Sequence, residues 1–356
     1  MNFALSDDQQ MLQDGIARLL ADRYQLDQRL AAQHEPQGYS AEIWQAFVDM
    51  GLTMLPFPEK QGGLGLGSVE MMLVGEAFGR ALVIEPYLSS IVLAGTALSN
   101  AADAASDVLA GVMAGDVIAG FAPAADIVEC DGQLSGRANM VLGGDCASFF
   151  VLPVGQGALC LPADTHGISI RSYRLHGGGG AAELMLDQVA ANSAIRLGAD
   201  ATVRGTEAGL AFLAAEAAGA MQAALDVTLD YLKTRQQFGR TISTYQVLQH
   251  RAAEMAVEVE QAQSAAIYAA LPMQEPNAPD RTRGLAAVKA VIGKAGRFVA
   301  QSAVQLHGGI GVSEEHVISH YFRRLTAIGM LLGDTQSHIG NLARLGGFTA
   351  AELEPI

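Results

Sequence analysis

TRQQFGRTISTYQVLQH, residues 234–250, follows a long alanine-rich stretch and decides how the rest of the chain is read. Arg235 and Arg240 flank a phenylalanine and a glycine. Arg235 sits where a helix should end, and a cation there suits the negative end of the helix dipole. The same turn offers a guanidinium and backbone donors to a phosphate. A second segment, QLHGGIGVSEEH at 305–316, is a glycine-rich break between two apolar periodic stretches. Gly308, Gly309 and Gly311 permit close backbone approach, either in a tight interhelical turn or against a planar or phosphorylated ligand. Ser313 is placed to N-cap the helix that follows.

Around these segments the periodicity is helical. TEAGLAFLAAEAAGAMQAALDVTLDYLKT reads as one long helix. Further helices are expected over about 245–271, about 281–306 and about 314–345, with a break near Gly333. PMQEPNAPD interrupts the series, and TAAELEPI reads as a tail. Upstream, MVLGGDCASFFVLPV, GALCLPA, ISIRSYRL and AELMLDQV are short runs separated by Gly, Asp and Asn, which is strand chemistry. Before them the chain is mostly helical. Ser6 and Gln9 form a capping box, and Met11, Leu12, Ile16, Leu19 and Leu20 follow at helical spacing. A helix from about Ser40 to Met50 precedes the glycine- and proline-rich loop PFPEKQGGLGLGS. VEMMLVGEAFGRAL then reads as a buried helix, in which Glu76 meets a backbone or arginine partner.

The expected class is therefore α+β: an α-helical domain over 1–112, an antiparallel β domain, sheet or barrel, over 113–205, and a helical bundle over 206–356. Neither β–α alternation nor a GxGxxG turn occurs, which argues against a Rossmann nucleotide fold.

The net charge of −15 argues against nucleic acid as a partner, because phosphate neutralisation needs a basic surface. Placed arginines and helix N-termini can still hold a small anion. Cys130, Cys146 and Cys160 are an odd, scattered set, neither a disulfide framework nor a zinc site. His250, His307, His320 and His338 are spread over separate segments. His316 and His320 stand at i, i+4 spacing without an obvious third ligand, so no metal site is expected. The acidic start MNFALSDDQQ lacks a secretory pattern, and no membrane-spanning run of about 18 apolar residues is expected, so a cytoplasmic location is.

Taken in order, SDDQQ, EKQGGLGLG, TRQQFGR with its sequel QVLQH, and QLHGGIG resemble the acyl-CoA dehydrogenase family over nearly the full length. The resemblance implies that family's fold, with N-terminal helices, a middle β-barrel domain and a C-terminal four-helix bundle. It implies FAD as cofactor, an acyl-CoA substrate and an electron-transfer flavoprotein as acceptor. In the family a glutamate removes the acyl α-proton while the β-hydride goes to the flavin. FAD lies at a subunit interface, with one subunit's β domain holding the ring and its neighbour holding the remainder. By the match, Arg235, Gln237 and Phe238 face the diphosphate side, Gln305, Gly308 and Gly309 the adenosine side, and Thr335 is the third piece.

Several motif positions depart from the family. Its base comes from a Tyr-Glu-Gly-Thr turn, which here reads Leu332-Gly333-Asp334-Thr335. The glutamate position is Gly333, and the only acid, Asp334, is displaced by one residue, or about 100° on a helix. An alternative family position for the base falls on Gly209 and Leu210, with Glu207 and Glu216 out of place. The flavin wall corresponds to FAPAAD at 121–126 and to Met140-Val141-Leu142, where Leu142 has no hydroxyl for the ring. FGRALVIEPYLSS (78–90) and GDTQSH (333–338) resemble the small subunit of heterotetrameric enzymes of the pimeloyl-CoA dehydrogenase type. Such enzymes act in bacterial degradation of dicarboxylic acyl chains and sterol side chains. The expectation is thus a subunit that lacks its own base and pairs with a larger homologous subunit. The alternatives are a homo-oligomer with Asp334 as catalytic base, and a non-catalytic scaffold.

Overall fold

Ser6 opens the first helix as its capping box predicts: its Oγ accepts from Gln9 N, and Gln9 Oε1 accepts from Ser6 N at 3.0 Å. In this computed structural model residues 4–275 and 280–346 are described, so the expected tail at 349–356 lies outside them. Helix α1 (Asp7–Arg23) buries Ile16 and Leu20 but leaves Met11 exposed. A short α2 (Leu26–Ala32), which the periodicity did not announce, leads to α3 (Ala41–Asp49), capped by Ser40 Oγ. After α4 (Ser68–Ala81) the apolar run forms a π-helix at Leu88–Gly95, a rare winding found mostly in single turns. Its Ser90 Oγ accepts from Ala119 N at 3.0 Å, fastening it to the first strand. Helices α5 (Thr96–Ser99) and α6 (Ser106–Ala114) complete the region.

The strands are β1 (Ala119–Phe121), β2 (Asp126–Cys130), β3 (Gln133–Leu142), β4 (Phe149–Val154), β5 (Gly157–Pro162), β6 (Ile168–Arg174), β7 (Gly180–Ala190) and β8 (Ile195–Leu197). They form one sheet in the order β6-β7-β3-β1-β4-β5-β8, with β2 also paired to β3. Leu134, Val141, Phe150, Leu161, Leu184 and Val189 fill its core.

Two features correct the expected antiparallel barrel. The sheet is mixed, because β1 lies between β3 and β4 and runs parallel to β4 (Ala119↔Phe149, Phe121↔Val151). It is also open among the described residues: β6, mostly exposed, and the three-residue β8 stand at its two ends.

Helix α7 (Ala201–Thr234) is followed by a small hairpin of β9 (Gln236–Gln237) and β10 (Arg240–Thr241), then α8 (Gln246–Ala270), α9 (Arg281–His307), α10 (Val317–Met330) and α11 (Thr335–Arg344). By length and composition α7 could cross a membrane, contrary to the expectation that no such run exists. In the protein 83% of its most apolar stretch is buried. The chain divides into two compact units, Met1–Met71 with Val83–Phe212, and Met72–Leu82 with Leu213–Ile356.

Within the second unit the end of α4 lies against α7 with almost no space between backbones. A Cβ on Gly79 would lie 1.9 Å from the Glu216 carbonyl, and one on Gly219 would lie 2.0 Å from that of Glu76. Only glycine permits such a crossing. Glu216, buried at the same place, accepts from Arg324 Nε of α10 at 2.5 Å. Tyr321 of α10 donates to the Arg80 carbonyl at 2.5 Å, tying α10 to the end of α4 as well.

Candidate functional site

The hairpin after α7 is built to project. Arg235 N donates to the Tyr231 carbonyl at 2.9 Å, closing the helix, and Gln237 then pairs with Arg240 and Gln236 with Thr241. The connecting residues Phe238 and Gly239 have φ of +53° and +78°, the two positive values that a tight hairpin turn demands. Phe238 is 90% exposed, so a bulky ring is held in solvent on backbone that favours glycine. Arg235 and Gln237 are exposed beside it, and the Arg240 guanidinium lies 4.1 Å over the Tyr245 ring.

The second predicted segment ends α9. Gly308 has φ +66° and ψ −142°, a conformation essentially confined to glycine. A Cβ on Gly308 or Gly309 would meet no heavy atom within 4 Å, so the backbone there is open to a ligand. Gly311 differs: it is packed, and a Cβ would lie 2.9 Å from the Val304 carbonyl. Gln305 is exposed, whereas His307 is buried. His307 Nδ1 bonds the Ala303 carbonyl at 2.8 Å, its Nε2 is buried without a partner, and its ring stacks on Tyr231 with centroids 4.4 Å apart. Burial pushes its pKa down. The cap of α10 is His316 rather than Ser313, because His316 Nδ1 accepts from Ile318 N at 3.3 Å while Ser313 Oγ accepts from Glu315 N.

The third segment is the turn between α10 and α11. Leu332 and Gly333 have φ of +56° and +99°. A Cβ on Gly333 would lie 2.9 Å from His338 Nε2, which itself bonds the Leu332 carbonyl at 2.9 Å. Lys289 of α9, fully buried, donates to the carbonyls of Gly333 (2.7 Å) and Gly329 (3.3 Å). Asp334 is exposed and is the N-cap of α11, accepting from Ser337 N at 2.8 Å. Its hydrogen bonding with Ser337 holds the carboxyl below the usual range. A general base works best with a pKa near the operating pH, and Asp334 is displaced the other way. Thr335 is half-buried, so close to α9 that a Cβ on Gly293 would lie 2.4 Å from its Oγ1. Gly293 and Gln305 are about 18 Å apart along that helix, so α9 carries two separated parts of the candidate site.

Other acids are engaged elsewhere. Glu216 is spent on Arg324, and Glu207 is buried with Arg204 at 3.9 Å. Burial pushes up the carboxyls of Glu76, Glu85 and Asp145. Glu85 accepts from Tyr24 Oη (2.7 Å) and Ser40 N (3.3 Å), Asp145 from Arg174 (3.0 Å), and Glu76 feels the Arg80 charge. In the first unit Leu142, expected at the flavin wall, is buried in the sheet and paired with Phe121 and Ala181. Among the described residues no three His, Cys, Asp or Glu side chains are grouped to hold a metal.

Residues 6–105 match the acyl-CoA dehydrogenase N-terminal domain, and residues 198–346 match the acyl-CoA dehydrogenase C-terminal domain. The chain is 30% identical to acyl-CoA dehydrogenase IpdE2 of Mycobacterium tuberculosis over 334 residues, 92% of this chain and 93% of that protein. The chain belongs to the acyl-CoA dehydrogenase family. Among solved structures of that fold, the Tcur3481-Tcur3483 steroid acyl-CoA dehydrogenase matches with a TM-score of 0.87 at 26% identity, covering 95% of this chain and 97% of the other. The ChsE4-ChsE5 complex from Mycobacterium tuberculosis matches with a TM-score of 0.87 at 23% identity, covering 98% and 100%, a likeness of fold.

For this acyl-CoA dehydrogenase, sequence motifs pointed to the turn after α7, the glycine loop and the break before α11. They missed Tyr231, Lys289 and His338 as supports. The contacts of Tyr231 and Lys289 join residues 76 and 44 positions apart, and no local pattern marks them.

Proposed function

We propose that the chain is the base-less subunit of a heteromeric, FAD-dependent acyl-CoA dehydrogenase, and that a larger homologous subunit supplies the catalytic glutamate and the flavin wall. The observation that carries this reading is Gly333: the base position holds no side chain, its φ is +99°, and His338 occupies the space a side chain would enter. The nearest acid is committed to capping α11. The cofactor-facing segments, by contrast, retain the open backbone at Gly308 and Gly309 and the exposed Arg235, Gln237 and Phe238.

These residues fit the diphosphate and adenosine side of FAD. Arg235 neutralises phosphate charge, and Gly308 and Gly309 admit the adenosine against the backbone. Gln305 supplies an amide to the same side, and Thr335 a hydroxyl near the turn. FAD, when bound, accepts the hydride from the acyl β-carbon. This chain's own part is to grip the cofactor, keep it oriented and exclude water from its polar end. The α-proton is removed by the partner's carboxylate. A CoA thioester as substrate, a sterol or dicarboxylic side chain as its acyl group, an electron-transfer flavoprotein as acceptor and a cytoplasmic location complete the proposal. The pairing of two named components in the ChsE4-ChsE5 complex and in the Tcur3481-Tcur3483 steroid enzyme supports a heteromer.

The test is flavin content. The chain is purified alone and after co-expression with a neighbouring larger dehydrogenase gene. The proposal expects a colourless single chain and a yellow complex that bleaches with acyl-CoA. Stoichiometric FAD in the single chain, bleached by acyl-CoA, sinks it in favour of a self-sufficient homo-oligomer. A protein colourless in both preparations supports the scaffold alternative.

A further inference from the structure

We propose that Tyr231 is a positioning residue that locks the two cofactor-gripping segments, the Arg235–Thr241 hairpin and the Gly308–Val312 loop, into one rigid unit through His307. The inference rests on the cofactor reading above and names the internal support of that grip.

The hairpin cannot hold itself. It has two residues per strand, a turn on positive φ, and exposed side chains, and so small a ribbon is marginal in isolation. It is attached to the bundle at both ends: at α8, whose N-cap residue Tyr245 meets Arg240 at 4.1 Å and Phe238 edge-on at 6.4 Å, and at the end of α7, where the Tyr231 carbonyl accepts from Arg235 N (2.9 Å) and Thr234 Oγ1 (3.3 Å). Arg235 in turn accepts at its carbonyl from Ile242 N at 2.9 Å, closing the base of the hairpin.

The glycine loop has the same weakness, because Gly308 and Gly309 touch nothing on the side where a Cβ would stand. It is attached to α9 through Gly311, packed against the Val304 carbonyl, and through His307, the last residue of that helix. Tyr231 meets that residue twice. The two rings stack at 4.4 Å with planes 26° apart, and Tyr231 Oη donates to the His307 carbonyl across a long 3.4 Å. The stack is the stronger hold, since a hydrogen bond of that length is weak. His316, the cap of α10, closes the cluster, with ring centroids 4.8 Å from His307 and 6.4 Å from Tyr231. Tyr231 thus holds one segment by its backbone and the other by its side chain. His307 cannot turn away freely, because its Nδ1 is committed to the Ala303 carbonyl.

The test measures FAD affinity of the co-purified complex carrying Tyr231→Phe, Tyr231→Leu or His307→Leu, and the Tyr231→Leu/His307→Leu pair. Tyr231→Phe keeps the stack and is expected to retain near wild-type affinity. Each leucine variant is expected to weaken FAD binding about tenfold, and the pair little more than either alone, as for residues acting through one contact. Acyl-CoA KM at saturating FAD should stay unchanged, and the thermal melt of each variant controls for loss of fold. Wild-type affinity in Tyr231→Leu, additive losses in the pair, or a loss that simply tracks unfolding overturns the positioning role alone. A wild-type complex that holds no FAD overturns the cofactor reading and this role together, and is seen before any variant is made.

Discussion

Lys289 Nζ, fully buried on α9, donates at 2.7 Å to the carbonyl of Gly333, the residue that the proposed function reads as the vacant base position. A buried ammonium therefore anchors the turn between α10 and α11. Burial pushes the Lys289 pKa down to about 8, partly offset by Asp334. The folded chain thus releases this proton before the unfolded chain does, whose lysine titrates near 10.4. Stability from this site is fully present above that value and is lost as pH falls towards 8. Lys289→Met removes the titration and leaves two carbonyls without their donor. Chemical denaturation is expected to show a net loss of about 1–3 kcal/mol at pH 7 and a flatter stability profile between pH 8 and 10. A profile parallel to wild type contradicts the assignment.

Restoring a glutamate at the turn should fail. Gly333→Glu places a side chain on backbone at φ +99° and drives its Cβ towards His338. Strain of that kind costs about 1–3 kcal/mol. The variant is expected to melt lower than wild type, and the chain alone should gain no acyl-CoA oxidation. Any gain in turnover shows that the turn can still present a base.

Glu216 and Arg324 form an ion pair in the interior of the second unit. Removing one partner strands the other, which costs about 3–5 kcal/mol for a buried pair. Glu216→Gln should therefore unfold at markedly lower denaturant, whereas Glu216→Leu combined with Arg324→Met should recover most of the loss. Equal stability of all three proteins would show the pair to be solvated.

Three histidines are expected to weaken the fold in mild acid. Burial is the main cause that pushes the pKa of His307, His316 and His338 below the ordinary value. Folded chains keep them neutral while unfolded chains bind protons below about pH 6.5. Their contribution is present above that pH and is lost as pH falls through the lower folded values. Melting temperature should drop between pH 7 and 5, and the drop should shrink in a His307→Phe/His338→Gln variant. An unchanged drop assigns acid sensitivity elsewhere.

The parts of the fold that announce themselves are those with local chemistry. Ser6 and Gln9 box the first helix, Phe238-Gly239 makes the hairpin turn, and Gly308 breaks α9 where the glycine run says it must. The π-helix at Leu88–Gly95 was not legible, because an unbroken apolar run has no period to distinguish its winding. The open sheet was hidden for another reason: strand runs fix alternation, while order and closure depend on pairings between distant strands such as β1 with β4. At the turn before α11, the glycine at 333 and its break in the helix could be read from the sequence. That Lys289 and His338 close around it could not, because both reach it by folding.

The most direct measurement is the rate of flavin reduction by a CoA thioester, followed anaerobically in the co-purified complex carrying Asp334→Asn. Asparagine caps a helix as well as aspartate, so α11 stays intact. If Asp334 is a cap and the partner provides the base, the rate equals that of wild type. A fall of about a hundredfold or more, the scale of a lost general base, would make Asp334 the base and contradict the base-less subunit.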